Sequence, residues 1–261
     1  MSKKVFLGVG HGGADPGAVK YLVEKDVNLT MALACKELLE ANGVIVGMSR
    51  TKDENDALAE EIKECNAFNP DLAVDIHNNA GGGDGFEVYH HFGGGVSKTL
   101  AQNIESEIKA IGQNSRGLKT RKNSAGKDYY GFIRQTKAPA VIVEGVFVDN
   151  ATDVKIADTV EKQKAFGYAY ARGILKTLGI TEKKPETKPT VSNPTAKSFK
   201  VQVSITNLNI RKGPSYKKYA SVGLCPKGVY TIVETKTADG FTWGKLKSGA
   251  GWIALEYTKR V

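Results

Sequence analysis

Apolar residues recur along this chain in two rhythms. Over the first 180 residues, short apolar runs alternate with stretches whose apolar positions return every three or four residues. KVFLGVG (4–10), VIVGMSR (44–50), LAVDIH (72–77), FEVYHH (86–91) and AVIVEGVFV (140–148) are runs of the first kind and predict strands. Val27, Met31, Ala34, Cys35, Leu38 and Leu39 share one face of a predicted helix that Gly43 stops. Leu58, Ile62 and Cys65 mark a second helix, and Leu100, Ile104, Ile108 and Ile111 a third. Ile156, Val160, Phe166, Tyr170 and Ile174 mark a last one over 153–178. Strands alternating with helices predict an α/β fold, with a mainly parallel sheet and helices on both faces.

From residue 198 the rhythm shortens to two. FKVQVSI, YTIVET and WGKLK alternate between Gly, Pro, Asn and Asp, with no helical stretch, and predict a small all-β barrel or sandwich. The intervening TEKKPETKPTVSNPTAK (181–197) holds three of the eight prolines and almost no large apolar residue. That is the makeup of an extended spacer. The expected organisation is a domain at 1–180, a linker at 181–197 and a second domain at 198–261.

The balance of 41% hydrophobic and 25% charged residues excludes a mostly disordered chain. Its net charge of +9 is unevenly placed. Residues 1–179 hold 22 basic and 23 acidic side chains, whereas residues 196–261 hold 12 and 3. A module so basic suits an anionic partner, because its field raises the encounter rate. Charge alone is a weak argument for nucleic acid, and the tail lacks a helix for a major groove, so no nucleic-acid partner is expected. No apolar run approaches the ~18 residues of a membrane helix. Lys3 and Lys4 precede a run too short for an export signal, and that run is expected to be the first strand. Cys35, Cys65 and Cys225 are far apart and form no CxxC pair; they are expected to be reduced core residues.

Candidate chemistry begins with the four histidines. His11 follows the first strand within GVGHGGADPGA, and His77 ends the third within DIHNNA. Strand C-terminal ends line the ligand crevice of an open α/β sheet, so two distant histidines can converge there. Glu24 lies beside the first helix, within reach of the same crevice; its bland role is a favourable charge at a helix N-terminus. Glu144 sits inside AVIVEGVF, where a carboxylate is costly unless paired or near a cation, which points to function. Two histidines and a carboxylate are a familiar zinc donor set that leaves a fourth position for water, with a separate carboxylate as base. His90 and His91 are adjacent on a strand and point to opposite faces. They are expected at the surface or the rim, where one of them could contact substrate.

GHGGADPGA (10–18), EKDVNL (24–29), LAVDIHNNA (72–80), GFEVY (85–89) and PAVIVEGVFVDN (139–150) occur in one order. Together they closely resemble the zinc-dependent N-acetylmuramoyl-L-alanine amidases of the amidase-3 type, over about residues 3–179. The resemblance implies one zinc ion held by His11, Glu24 and His77, with Glu144 as catalytic glutamate. It also implies substrate contacts at Asn79 and Glu87. Two positions depart from the family pattern: Gly8 stands where an acidic residue is common, and Val146 where a glycine is usual.

LNIRKGPS (208–215), LCPKG (224–228) and GAGWIALEY (249–257) resemble a bacterial SH3 domain, so the expected second unit is a small all-β SH3-like barrel. The resemblance implies wall binding, with Arg211, Lys212, Tyr216 and Trp243 as contact candidates. Tyr219, Phe241, Lys217 and Lys218 could add stacking surface and charge, and Trp252 is expected to pack in the barrel. The implied function is hydrolysis of the amide between N-acetylmuramic acid and L-alanine in peptidoglycan, as in a phage endolysin lysing Gram-positive bacteria. Expected partners are peptidoglycan and anionic wall polymers, without membrane insertion, for a monomer kept in the cytoplasm until release. Competing readings are a zinc peptidase on stem peptides and a wall-binding protein with a disabled hydrolase domain; the intact His11, Glu24, His77 and Glu144 set argues against the latter.

Overall fold

The computed structural model describes residues 2–183, 198–206, 208–216, 218–239 and 241–261. The chain divides into two compact units, Met1–Lys184 and Pro185–Val261. The linker expected at 181–197 lies outside the described residues from 184 onward, as does Lys217.

The first unit is built on β1 (Lys4–Val9), β2 (Ile45–Met48), β3 (Leu72–Asn79), β4 (Phe86–His90), β5 (Ser115–Lys119) and β6 (Ala140–Phe147). They form one sheet in the order β2-β1-β3-β6-β4-β5. β2, β1, β3 and β6 are parallel, while β4 runs antiparallel to β6 and carries β5 with it. The sheet is therefore mixed. The short connection between β3 and β4 is too brief for a parallel crossover, so β4 returns in the opposite direction.

The helices are α1 (Glu24–Ala41), α2 (Leu58–Phe68), α3 (Val96–Ala110), α4 (Gly131–Gln135) and α5 (Val160–Thr177). Alternation along the strands assigns them to faces. Val5, Leu7, Val9, Val74, Ile76, Val141 and Val143 share the large core with α1, α3 and α5. Phe6, Ala73, Ala140 and Ile142 point the other way, to a smaller core with Ile62, Cys65, Phe132 and Ile133 of α2 and α4. By the same alternation Asp75, His77 and Glu144 fall on the α2/α4 face, where the cover is thinner.

The helix expected over 153–178 is broken. Asp153–Ile156 is a 3-10 turn, and α5 begins after Thr159, whose side chain accepts from the Lys162 N–H. The reason is the buried Asp153 carboxylate. It accepts from the Phe147 N–H (2.7 Å), the Gly85 N–H (3.0 Å) and Gln113 Nε2 (2.7 Å), clamping the chain where β6 ends. β5 and α4 had no forecast, because one is poor in large apolar residues and the other is too short to show a helical period.

The second unit contains β7 (Phe199–Val203), β8 (Asn209–Arg211), β9 (Ser221–Leu224), β10 (Gly228–Ala238), β11 (Phe241–Leu246), β12 (Trp252–Ala254) and β13 (Thr258–Arg260). They form an antiparallel sheet in the order β13-β7-β10-β11-β12-β8-β9. Val201, Val203, Leu208, Ile232, Leu246 and Ile253 make its own core. All three cysteines are free and buried, as expected.

Candidate active site

β1 ends at Val9, and the next residues turn sharply over the sheet. His11 adopts φ 64°, a left-handed conformation that few side chains occupy and that requires external support. Much of that support comes from the buried Arg50. Its guanidinium donates to the carbonyls of Val9 (3.0 Å), Gly10 (3.2 Å) and Lys25 (2.8 Å), tying the turn to the start of α1. Asn28 Nδ2 also donates to the Gly10 carbonyl, at 2.9 Å. Gly10 itself leaves no room for a side chain, since a Cβ there would lie 2.0 Å from the His77 ring.

Three side chains converge beside this turn. Glu24, the first residue of α1, has Oε1 3.2 Å from His11 Nε2 and 3.1 Å from His77 Nδ1. Oε1 also accepts from the Asn78 N–H at 3.1 Å, and Oε2 from the Ala18 N–H at 2.9 Å. Ligand atoms of His11, Glu24 and His77 all lie within 4.8 Å of one another. Each imidazole is backed by a carboxylate on its far nitrogen. Asp15 lies 2.8 Å from His11 Nδ1, and Asp75 lies 3.4 Å from His77 Nε2. Such backing is how metal-binding histidines are oriented. Burial opposes the charge on Glu24, but hydrogen bonds from His11 and His77 outweigh it and hold the carboxyl well below its usual range. The hydrogen bond to Glu24 raises the His11 pKa. An anionic, oxygen-and-nitrogen cage of this kind fits a divalent cation.

Glu144 stands next in line. His77 and Glu144 are register partners between β3 and β6, and Glu144 and Glu87 between β6 and β4. The three therefore occupy one row across the sheet, on the α2/α4 face. Glu144 Oε2 is buried and has no hydrogen-bond partner among the described residues. Burial first, opposed by His77 and assisted by the charges of Glu24, Asp75 and Glu87, pushes its pKa up to about 7. His11, His77, Glu144, Asp75, Glu61 and Tyr130 line a common cavity of about 290 Å³.

Asn79 and Glu87 are linked, with Asn79 Nδ2 donating to Glu87 Oε2 at 3.2 Å. Glu87 Oε1 accepts from Arg116 Nε at 2.6 Å. His90 and His91 stay outside the three-ligand group. His90 Nδ1 donates to the His91 carbonyl, and His91 pairs with Asp128. The departure at Gly8 has a physical reason. A Cβ there would meet Glu61 Oε1 at 1.8 Å and Asp75 Oδ1 at 2.7 Å, so carboxylates from α2 and β3 fill the space a side chain would take. Val146 is fully buried in the large core. Sequence reasoning missed Arg50, Asp75, Glu61, Arg116 and Tyr130. Asp75, two residues from His77 on an alternating strand, was the most accessible of them.

In the second unit, Arg211, Tyr216 and Trp243 line one groove of about 400 Å³ with Leu208, Phe241 and Tyr257. Phe241 is its hub, stacked on Tyr257 at 6.0 Å between centroids and edge-on to Tyr216 at 5.8 Å. Trp243 is largely buried and its Nε1–H donates to the Ala238 carbonyl at 3.0 Å. Lys212 is exposed and outside the groove lining. Trp252 is buried, as expected.

Residues 5–176 match the Amidase_3 family, N-acetylmuramoyl-L-alanine amidase. The chain is 37% identical over 184 residues to the N-acetylmuramoyl-L-alanine amidase CwlM of Bacillus licheniformis, covering 69% of this chain and 70% of that protein. It is 30% identical over 265 residues to the endolysin of Bacillus phage SPP1, covering 95% and 94%. Among solved structures, the catalytic domain of the amidase CwlV from Bacillus (Paenibacillus) polymyxa var. colistinus superposes with a TM-score of 0.61 at 28% identity. That match covers 69% of this chain and 99% of that domain.

Proposed function

This chain belongs to the Amidase_3 family of N-acetylmuramoyl-L-alanine amidases, and from that premise we propose how its own residues hydrolyse the amide between N-acetylmuramic acid and L-alanine in peptidoglycan. His11, Glu24 and His77 would hold a single zinc ion. When bound, zinc supplies Lewis acidity, lowering the pKa of water and polarising a carbonyl. Asp15 fixes the ring orientation of His11 through a hydrogen bond to its Nδ1, and the Asp75 carboxylate lies 3.4 Å from His77 Nε2, where its charge favours the same arrangement. Arg50 and Asn28 hold the Gly10 carbonyl and with it the His11 turn.

Glu144 moves the proton. Its carboxylate, at the cavity wall and with one oxygen lacking a hydrogen-bond partner among the described residues, takes a proton from the attacking water and returns it to the departing alanine nitrogen. Without that delivery the leaving group would be an amide anion, so a positioned acid is needed; such transfer contributes ~10²–10⁴-fold. The buried wall of Phe132 and Ile142 limits competing water around this carboxylate. The observation carrying the reading is the convergence of His11, Glu24 and His77 within 4.8 Å, one strand from Glu144.

We infer that the second unit is an SH3-like wall-binding module and that the whole chain works as a lytic enzyme. Support comes from the endolysin match, which runs through both units, and from the aromatic groove centred on Phe241. The basic excess of residues 196–261 suits the anionic polymers of a Gram-positive wall. Mass spectrometry of muropeptides released from purified walls tests the reaction. The expected products carry free L-alanine amino termini with no new sugar reducing ends; cleavage within the stem peptide would point to a peptidase instead.

A further inference from the structure

The row of charged residues across the first sheet does not stop at Glu87. On the next strand outward, Arg116 Nε reaches Glu87 Oε1 at 2.6 Å. The β4–β5 register slips between Phe86 and Val88, and Gly117 adopts φ 87°. Such a bulge re-aims a side chain, here towards the site. Glu87 is buried, and its other oxygen accepts from Asn79 and from the Tyr89 hydroxyl at 3.3 Å. The Arg116 guanidinium also lies 5.3 Å from the centre of the Phe147 ring. Two neighbours, Glu87 and Phe147, thus hold the plane of the guanidinium through one donor and one face.

The rest of the fork is available. The Arg116 side chain is 43% exposed, and among the described residues Nη1 and Nη2 make no hydrogen bond. An anchor for Glu87 needs a single donor. A planar group held in place with its outer pair of N–H donors open has the geometry that pairs with a carboxylate through two parallel bonds. A second arginine stands near the cavity mouth. Arg121 lies 3.7 Å over Tyr129, which packs against the cavity-lining Tyr130.

We propose that Arg116 binds the free carboxylate on the stem-peptide residue that follows the released alanine, and so sets substrate preference. Distance agrees with this assignment. Two strand spacings, roughly 10 Å, separate the backbones of Arg116 and Glu144, but the guanidinium leans inward to Glu87, one strand from Glu144, and the second residue of an extended peptide lies ~7 Å from the scissile amide. A substrate whose scissile amide lies beside Glu144 places its next carboxylate within reach of the Arg116 fork. The inference rests on the amidase reading and extends it to the far side of the cut.

Two purified disaccharide-tetrapeptides decide it, identical except that the second stem residue carries a free carboxylate or its amide. The full-length wild type is expected to prefer the acid form about tenfold in kcat/KM, the effect of charge-assisted hydrogen bonds at a partly exposed site. Arg116→Gln should erase that preference by raising KM on the acid form while the amide form stays within twofold. Arg116→Lys, which keeps the charge without the fork, should retain part of the preference. Equal losses on both substrates in Arg116→Gln would make the residue a mere clamp for Glu87 and overturn the proposal, as would a wild type indifferent to amidation. If Arg116→Gln melts early by circular dichroism, the wild-type preference and Arg116→Lys still decide. A wild type that cleaves neither substrate nor intact walls would instead refute the amidase reading.

Discussion

In the first unit the charged groups that matter are buried and face one another, whereas in the second most of the described basic side chains are exposed. Residues 1–179 are almost electroneutral, yet they bury Glu24, Glu61, Asp75 and Glu87, and Glu61 and Asp75 line the cavity beside Glu144. Residues 196–261 carry 12 basic against 3 acidic side chains, and their groove is lined mainly by aromatic and apolar residues. The difference separates two ways of using charge. Bond cleavage needs a few groups at fixed separations in a poorly hydrated place, where each displacement is felt. Attachment to a polymer needs contact area plus a long-range field to which many exposed groups add.

The largest expected effect comes from removing one corner of the cage. His77→Ala should bring zinc, measured by atomic absorption, from one per chain to background and lower hydrolysis by ~10³-fold or more. Zinc retained at one per chain would remove His77 from the donor set. Glu144→Gln should cost ~10²–10⁴-fold in kcat while leaving the zinc content intact; undiminished turnover would locate the proton carrier elsewhere.

In the second unit the effects should be smaller and should concern walls only. Residues 1–184 alone are expected to turn over soluble muropeptides at the full rate and to sediment poorly with purified walls. Tyr216→Ala in the full chain should weaken wall binding by roughly tenfold at any ionic strength, the scale of one lost aromatic contact. Lys212→Gln should weaken it about twofold, and only in low salt. Matching salt dependence for the two variants would collapse the distinction between contact and field.

The smallest effect sharpens the first half of the comparison. Burial, then the charges of Asp75 and Asp56, raise the Glu61 pKa well above 4.5. A folded state that keeps this proton loses stability relative to the unfolded chain as pH rises above about 4.5, until the folded group ionises. Glu61→Gln should therefore raise the melting temperature more at pH 8 than at pH 5. An equal change at both values would mean that the carboxyl is already ionised in the folded protein.

Periodicity alone made most of the fold legible. The alternation of runs and amphipathic stretches located α1, α2, α3, β1, β3 and β6 to within a few residues, because those elements bury one recurring face. It failed where tertiary contacts replaced periodicity. Asp153, which reads as an ordinary helical residue, instead clamps three backbone and side-chain donors and breaks the expected helix. β5 is held by its pairing with β4 rather than by its own composition.

The same division runs through the site. By itself the sequence determined which residue types could serve: histidines at two strand ends, a carboxylate stranded in an apolar run, and motifs whose order marks a family. Only the tertiary structure decided that Glu61 fills the space above Gly8, that Asp75 backs His77, and that His77, Glu144, Glu87 and Arg116 stand in one row. Local patterns record which face of an element is buried. The meeting of side chains from different strands depends on register and twist, which are set by packing over the whole sheet.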